Sequence, residues 1–220
     1  MHGKFESEKR ADFIEKIKAE KPFGYIVQNL ENTFGEPVLP PQSDALSMLI
    51  NIILSQATSD ANSDRTFRDL KKRFRTWKNV LAASETEIAE AIRLGGLANQ
   101  KARVIKDLLD QIKVARGTLS LKFLEKMPDE TARDYLLQFR GIGPKTVACT
   151  LLFALRKEVF PIDTHIFRIL RRMGILPEKI TDATAHRLLD ELAPNGKFYS
   201  LHVNMIRLGR QICRPREPLC

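Results

Sequence analysis

The sequence predicts an all-α fold. Two observations carry this: apolar residues recur at helical spacing along nearly the whole chain, and no run alternates apolar and polar residues long enough, between turn signals, to make a strand. A third agrees with them, since several element boundaries carry the residues that start and stop helices. In order, helices are expected from Glu8 to Ala19 and from Pro22 to Phe34, stopped by Gly35-Glu-Pro37 and by Leu39-Pro-Pro-Gln42. Ala45 to Leu54, Ser59 to Phe74, Thr76 to Ala82 and Glu85 to Ile92 follow. The last is opened by Ser84-Glu-Thr-Glu87, a capping box in which Ser84 accepts from free N–H groups and Glu87 reaches back. After the Gly95-Gly96 break come Asn99 to Ala115, ended near Gly117, and Thr131 to Phe139, placed beyond Met127-Pro128. Pro144 to Leu155, Thr164 to Met173 and Ala183 to Leu192 are next, and Pro194-Asn-Gly196 separates them from Phe198 to Gln211. With no fixed-period repeat, low-complexity tract or flexible linker, the pattern describes a compact body.

The 220 residues carry 36 Lys and Arg against 27 Asp and Glu, a formal charge of +9, which favours a polyanionic partner. The excess is uneven. Between Arg65 and Lys78 lie seven cations (Arg65, Arg68, Lys71, Lys72, Arg73, Arg75, Lys78) with Asp69 the only acid. Arg168, Arg171 and Arg172 form a second cluster, and Arg207, Arg210, Arg214 and Arg216 a third. Each run alone reads as a solvated helix face, whereas three on one chain point towards a phosphate-binding surface. The first twenty residues hold no apolar block, and no stretch approaches the roughly 18–20 apolar residues that cross a bilayer. A reducing intracellular compartment, cytoplasm or nucleoid, is therefore expected, with no membrane partner. Three cysteines make no disulfide framework, so Cys213 and Cys220 are candidate metal ligands, and Cys149, inside an apolar run, is a small core residue. Four histidines without a His-x-x-x-His spacing argue against a zinc or magnesium centre, and His165 by itself is a surface or packing residue.

The most informative segment is Leu136-Leu-Gln-Phe-Arg140-Gly-Ile-Gly-Pro-Lys145-Thr-Val-Ala148, followed eighteen residues after Lys145 by Asp163. Gly141 and Gly143 let the backbone turn sharply and approach a ligand, and Pro144 suits the first position of the next helix, where its missing N–H is not needed. The turn therefore aims free amides outward at the positive end of a helix dipole. That arrangement suits a DNA phosphate, a contact that fixes position without reading sequence. The alternative is an ordinary two-helix connection.

This stretch, as Leu137-x-x-x-Gly141-Ile-Gly143-x-Lys145-Thr146-x-Ala148, resembles the helix-hairpin-helix of the DNA glycosylase superfamily. Asp163-Thr-His-Ile-Phe-Arg168 is similar to its endonuclease III branch. Upstream, Ile53-Leu-Ser-Gln56-Ala-Thr-Ser-Asp60 and Ile92-x-x-Gly95-Gly96-Leu97-x-x-x-Lys101-Ala102 also resemble family segments, and Cys213, six residues, then Cys220 looks like the first half of its iron-sulfur loop. Two departures stand out. One residue fewer than in the best-known members precedes Gln56. The family loop also continues with two more cysteines beyond the point where this sequence stops, and two thiolates cannot hold a four-iron four-sulfur cluster that takes four. A longer loop, an absent cluster and a cluster completed otherwise all remain open.

The resemblance implies a two-lobed helix-hairpin-helix glycosylase fold with a DNA-binding cleft between the lobes. A six-helix domain over 38–157 would carry the hairpin, and 1–37 with 158–220 would form a second helical domain. It further implies a monomeric bifunctional DNA glycosylase and abasic-site lyase of base excision repair, acting on double-stranded DNA with oxidised pyrimidines or abasic sites. On this reading Lys145 attacks C1′, in a first helical turn where the dipole and Arg140 both disfavour a second positive charge. Asp163 assists the proton transfer and stabilises charge on the sugar, Gln56 and Leu97 fill the space of the extruded nucleotide, and Arg140, Gly141, Gly143, Thr146 and Arg168 contact DNA. Other outcomes remain: a glycosylase of the same fold for mismatched thymine or oxidised purine, or a silent DNA-binding module. In the module Lys145 would be a phosphate contact and Asp163 only a helix N-cap.

Overall fold

The computed structural model describes residues 15–17, 19 and 23–220, and among these every regular element is helical, as expected. The helix expected from Glu8 to Ala19 lies largely outside the described residues. In chain order the α-helices are α1 (Phe23–Phe34), α2 (Ala45–Ser55), α3 (Asp60–Arg73), α4 (Trp77–Ala82), α5 (Glu85–Ala91), α6 (Ala98–Arg116), α7 (Asp129–Leu137), α8 (Pro144–Leu155), α9 (Thr164–Arg172), α10 (Asp182–Leu192) and α11 (Phe198–Gln211). Two 3₁₀ turns, Arg93–Gly95 and Lys122–Lys126, were not anticipated, being too short to show a period. The helix expected from Thr131 starts two residues earlier, directly after Pro128. No helix among the described residues is long and apolar enough to cross a membrane. The chain divides into two compact units, Met1–Pro41 with Glu158–Cys220, and Gln42–Lys157.

In the unit Gln42–Lys157, α2 is the central element, because it is apolar nearly all round. Leu46, Leu49, Ile50, Ile53 and Leu54 are each at most 1% exposed, as befits a helix surrounded by others. It packs against α8, whose Val147, Ala148, Leu151 and Ala154 are as deeply buried. Full burial of each valine, leucine or isoleucine among them stabilises by about 1.5–3 kcal/mol, so this pair supplies much of the core. Local chemistry sets the boundaries. Asp44, Ser59 and Thr76 each accept a backbone N–H as N-caps of α2, α3 and α4. The expected capping box is present, with Ser84 Oγ accepting from Glu87 N at 3.2 Å and Glu87 Oε2 accepting from Ser84 N at 2.8 Å. Helix α6 runs nineteen residues and stops where Gly117 turns left-handed, with Lys113 and Arg116 at its negative end.

In the other unit, α11 is held to α1 and α9. The link to α1 is polar. Arg207 donates to Phe34 O and Asn204 to Gly35 O, each at 3.0 Å, which satisfies carbonyls at the end of α1. Lys197 reaches Glu31 at 3.0 Å and Glu36 at 2.7 Å, and Ser200 donates to Glu31 at 2.6 Å. The contact with α9 is close because Gly209 has no side chain: a Cβ there would lie 2.7 Å from His165 Cβ.

Candidate active site

Gly141 turns the hairpin at φ +82°, a left-handed conformation that L side chains resist, and a Cβ there would also strike Val104 Cγ2 at 2.8 Å. Gly143 is different: its backbone is extended and nothing lies within 4 Å of a Cβ. Its use is as an N-cap without a side chain. No side chain caps α8, so the amides of its first turn face outward next to Pro144 at the opening positions. Lys145 is half-buried in that turn, Arg140 is exposed, and Thr146 is 4% exposed. Arg140 and Gly141 also line a groove of about 670 Å³ whose other charged walls are Glu85, Arg103 and Asp107.

The structure brings Gln56 to this turn. Helix α2 ends at Ser55, and Gln56, extended and exposed, donates from Nε2 to Thr146 Oγ1 at 3.2 Å. The next residue, Ala57, is left-handed at φ +53°. Leu97 is 56% exposed and left-handed at φ +50°, on the loop that enters α6. Each of these non-glycine residues stores about 1–2 kcal/mol of backbone strain, which persists only where surrounding contacts over-determine it. One such contact is made by Lys101, which the sequence placed in a family-like segment without a role. Lys101 is only 3% exposed, and its Nζ donates to Leu54 O at 2.8 Å and to Gly95 O at 2.7 Å. The available signal was its place on the apolar stripe of α6, one turn before the buried Ile105.

In the unit that contains Asp163, the carboxylate is half-buried and caps α9, with Oδ1 accepting from Ile166 N at 2.8 Å. The two residues before it are pinned by buried histidines that the sequence did not single out. His202 Nδ1 lies 2.9 Å from Pro161 O, which can only accept, and Ile162 N donates to His186 Nε2 at 3.1 Å. Nε2 of His186 thus serves as the acceptor for that amide. Arg168, expected among the DNA contacts, turns its guanidinium inward. It donates to Cys213 O at 2.7 and 3.0 Å and to Gly209 O at 2.9 Å, with His165 Nδ1 at 3.1 Å. Five fixed donors suit arginine to such a clasp of carbonyls.

Cys213 is buried and its Sγ accepts from Arg172 Nη1 at 3.2 Å, whereas Cys220 is exposed. Among the described residues no three of His, Cys, Asp and Glu gather where they could hold a metal ion. Two thiols do not supply the four ligands of a four-iron cluster, so the described residues by themselves do not fit that group. The cations from Arg65 to Lys78 lie mainly on exposed positions of α3 and the turn after it, with Arg73 paired to Glu90 at 3.2 Å and Lys71 over the Trp77 ring at 4.2 Å.

Residues 50–195 match the model of a family described as HhH-GPD superfamily base excision DNA repair protein. An Arabidopsis thaliana protein provisionally named a DNA glycosylase is 37% identical over 172 residues, which is 78% of this chain. The chain spans 58% of that relative's length. Endonuclease III of Sulfolobus acidocaldarius is 31% identical over 179 residues, 80% of this chain and 78% of its own. Among solved structures, a trapped endonuclease III–DNA covalent intermediate shares the fold, with a TM-score of 0.73 over 89% of this chain and 88% of that one at 24% identity.

Proposed function

Because the chain belongs to the HhH-GPD superfamily of base excision DNA repair proteins, we propose that it is a bifunctional DNA glycosylase and abasic-site lyase that removes oxidised pyrimidines from double-stranded DNA. The observation that supports this most is Lys145, a primary amine in the first turn of α8, beside uncapped amides suited to a phosphate. The partial exposure of Asp163 and its fixed orientation support a second role for that carboxylate.

The target nucleotide must leave the stack, because C1′ is out of reach inside the duplex. Gln56 and Leu97 enter the vacated space, and the hairpin amides hold the backbone. The neutral amine of Lys145 then forms a bond to C1′ as the C1′–N bond breaks, its electron pair leaving with the base, which takes up a proton. Transfer of a proton from the lysine nitrogen to O4′, as the C1′–O4′ bond breaks and the nitrogen pair forms the C=N bond, opens the sugar ring and gives a protonated imine. The imine acidifies C2′, and loss of that proton expels the 3′ phosphate, nicking the strand. The role assigned to Asp163 is to stabilise positive charge on the sugar as the base departs. The protein acts as a monomer in an intracellular compartment.

Borohydride reduction on a duplex with an abasic site is the test. The wild type is expected to form a covalent complex and Lys145→Gln none, and undiminished trapping by Lys145→Gln refutes the assignment. A panel of lesion duplexes then tests base choice: faster release of a mismatched thymine or an oxidised purine than of an oxidised pyrimidine would replace the substrate named here.

A further inference from the structure

A buried lysine without a carboxylate among its hydrogen-bond acceptors is the least expected side chain in the unit Gln42–Lys157. Charged groups are almost never fully buried unless paired, and burial pushes the Lys101 ammonium below the usual lysine range. Its two acceptors explain its position. Leu54 O belongs to the last turn of α2, where carbonyls lack helical partners and a cation is favoured. Gly95 O belongs to the 3₁₀ turn before Leu97. Each acceptor therefore stands two residues upstream of a residue assigned to the extruded nucleotide's space, Gln56 in one case and Leu97 in the other. The two loops also run near each other, since a Cβ on Gly96 would come to 4.0 Å from Ala57 O, and behind them a Cβ on Gly95 would lie 3.1 Å from Thr66. Both loops carry a strained left-handed residue, Ala57 and Leu97.

Resting on the glycosylase reading above, we propose that Lys101 is a positioning residue that clasps the Gln56 and Leu97 loops into one rigid wedge, so that both enter the duplex together when a nucleotide is extruded. The clasp extends through Gln56 to Thr146 and hence to the turn that carries Lys145. It touches neither substrate nor reacting atoms. Its effect is to keep two strained loops in the geometry they need before DNA arrives, which removes an ordering cost from the extrusion step.

Lys101→Met keeps the aliphatic stem and removes the donors. The comparison is Ile88→Ala, a cavity variant at a fully buried position of α5 that lowers stability while removing no side-chain hydrogen bond to either loop. Amide hydrogen exchange in the free protein reads the loops directly. At a temperature where both variants are folded, residues 55–57 and 95–98 are expected to exchange about tenfold faster in Lys101→Met, the change expected when each loop loses one buried charge-assisted hydrogen bond. On a duplex with an abasic-site analogue, fluorescence of a neighbouring 2-aminopurine should show correspondingly less unstacking by Lys101→Met than by Ile88→Ala. Lys101→Arg, which keeps the charge and donors, should recover part of both signals. Equal exchange in the two variants overturns the clasp, and faster exchange with equal unstacking overturns its part in extrusion. Failure of the wild type to trap on abasic DNA sinks the glycosylase reading instead, while exchange still decides whether Lys101 holds the loops.

Discussion

Replacing Gly141 by alanine separates two reasons for a glycine that look identical in the sequence. At φ +82° the new Cβ costs about 1–2 kcal/mol in backbone strain. It would also lie 2.8 Å from Val104 Cγ2 and 3.2 Å from Cγ1, an overpacking worth about 1–3 kcal/mol. Narrowing the unfolded ensemble returns about 0.4–1 kcal/mol, leaving a net loss near 3 kcal/mol. Gly143→Ala meets no atom within 4 Å and sits in extended backbone, so it should stay within about 1 kcal/mol of wild type. Urea unfolding followed by Trp77, the sole tryptophan and 9% exposed within the same unit, measures both. Val104→Ala supplies the decisive control. It removes both clashing methyl groups and leaves Cβ at 3.6 Å, so the Gly141→Ala cost should shrink in that background by about 1–3 kcal/mol. Equal losses for Gly141→Ala and Gly143→Ala, or strict additivity with Val104→Ala, would refute the packing argument.

Asp163→Asn should leave the melting temperature nearly unchanged, because asparagine caps a helix about as well and its oxygen can still accept from Ile166 N, while single-turnover base release falls by about 10²-fold or more. Retained base release would reduce Asp163 to a cap. Acid stability of the unit containing α1 should depend on Glu31, whose carboxyl is held below the usual carboxylate range first by the Ser200 hydroxyl and then by Lys197. A lowered folded value means that the stabilisation is complete above the ordinary carboxylate range and is lost as pH falls through the folded value, and Ser200→Ala should flatten that acid limb in urea midpoints. An unchanged limb would show that the Ser200 bond does not hold the carboxylate ionised.

What the sequence determined by itself acts over one helical turn. Spacing of apolar residues marked the helices, Ser84 and Glu87 announced their own capping box, and the run from Arg140 to Lys145 announced a sharp turn into α8 because glycine and proline constrain the backbone wherever they stand. Short 3₁₀ turns escaped because three to five residues show no period. The tertiary structure alone decided what each long polar side chain does. Lys101 finds a carbonyl 47 residues away, Arg168 is clasped by carbonyls 41 and 45 residues on, and Gly209 is small because His165 packs against it. A flexible charged side chain reads the same in a one-dimensional chain whether it ends in water, on a phosphate or against a buried carbonyl. Its desolvation cost and its acceptors exist only once distant segments have packed.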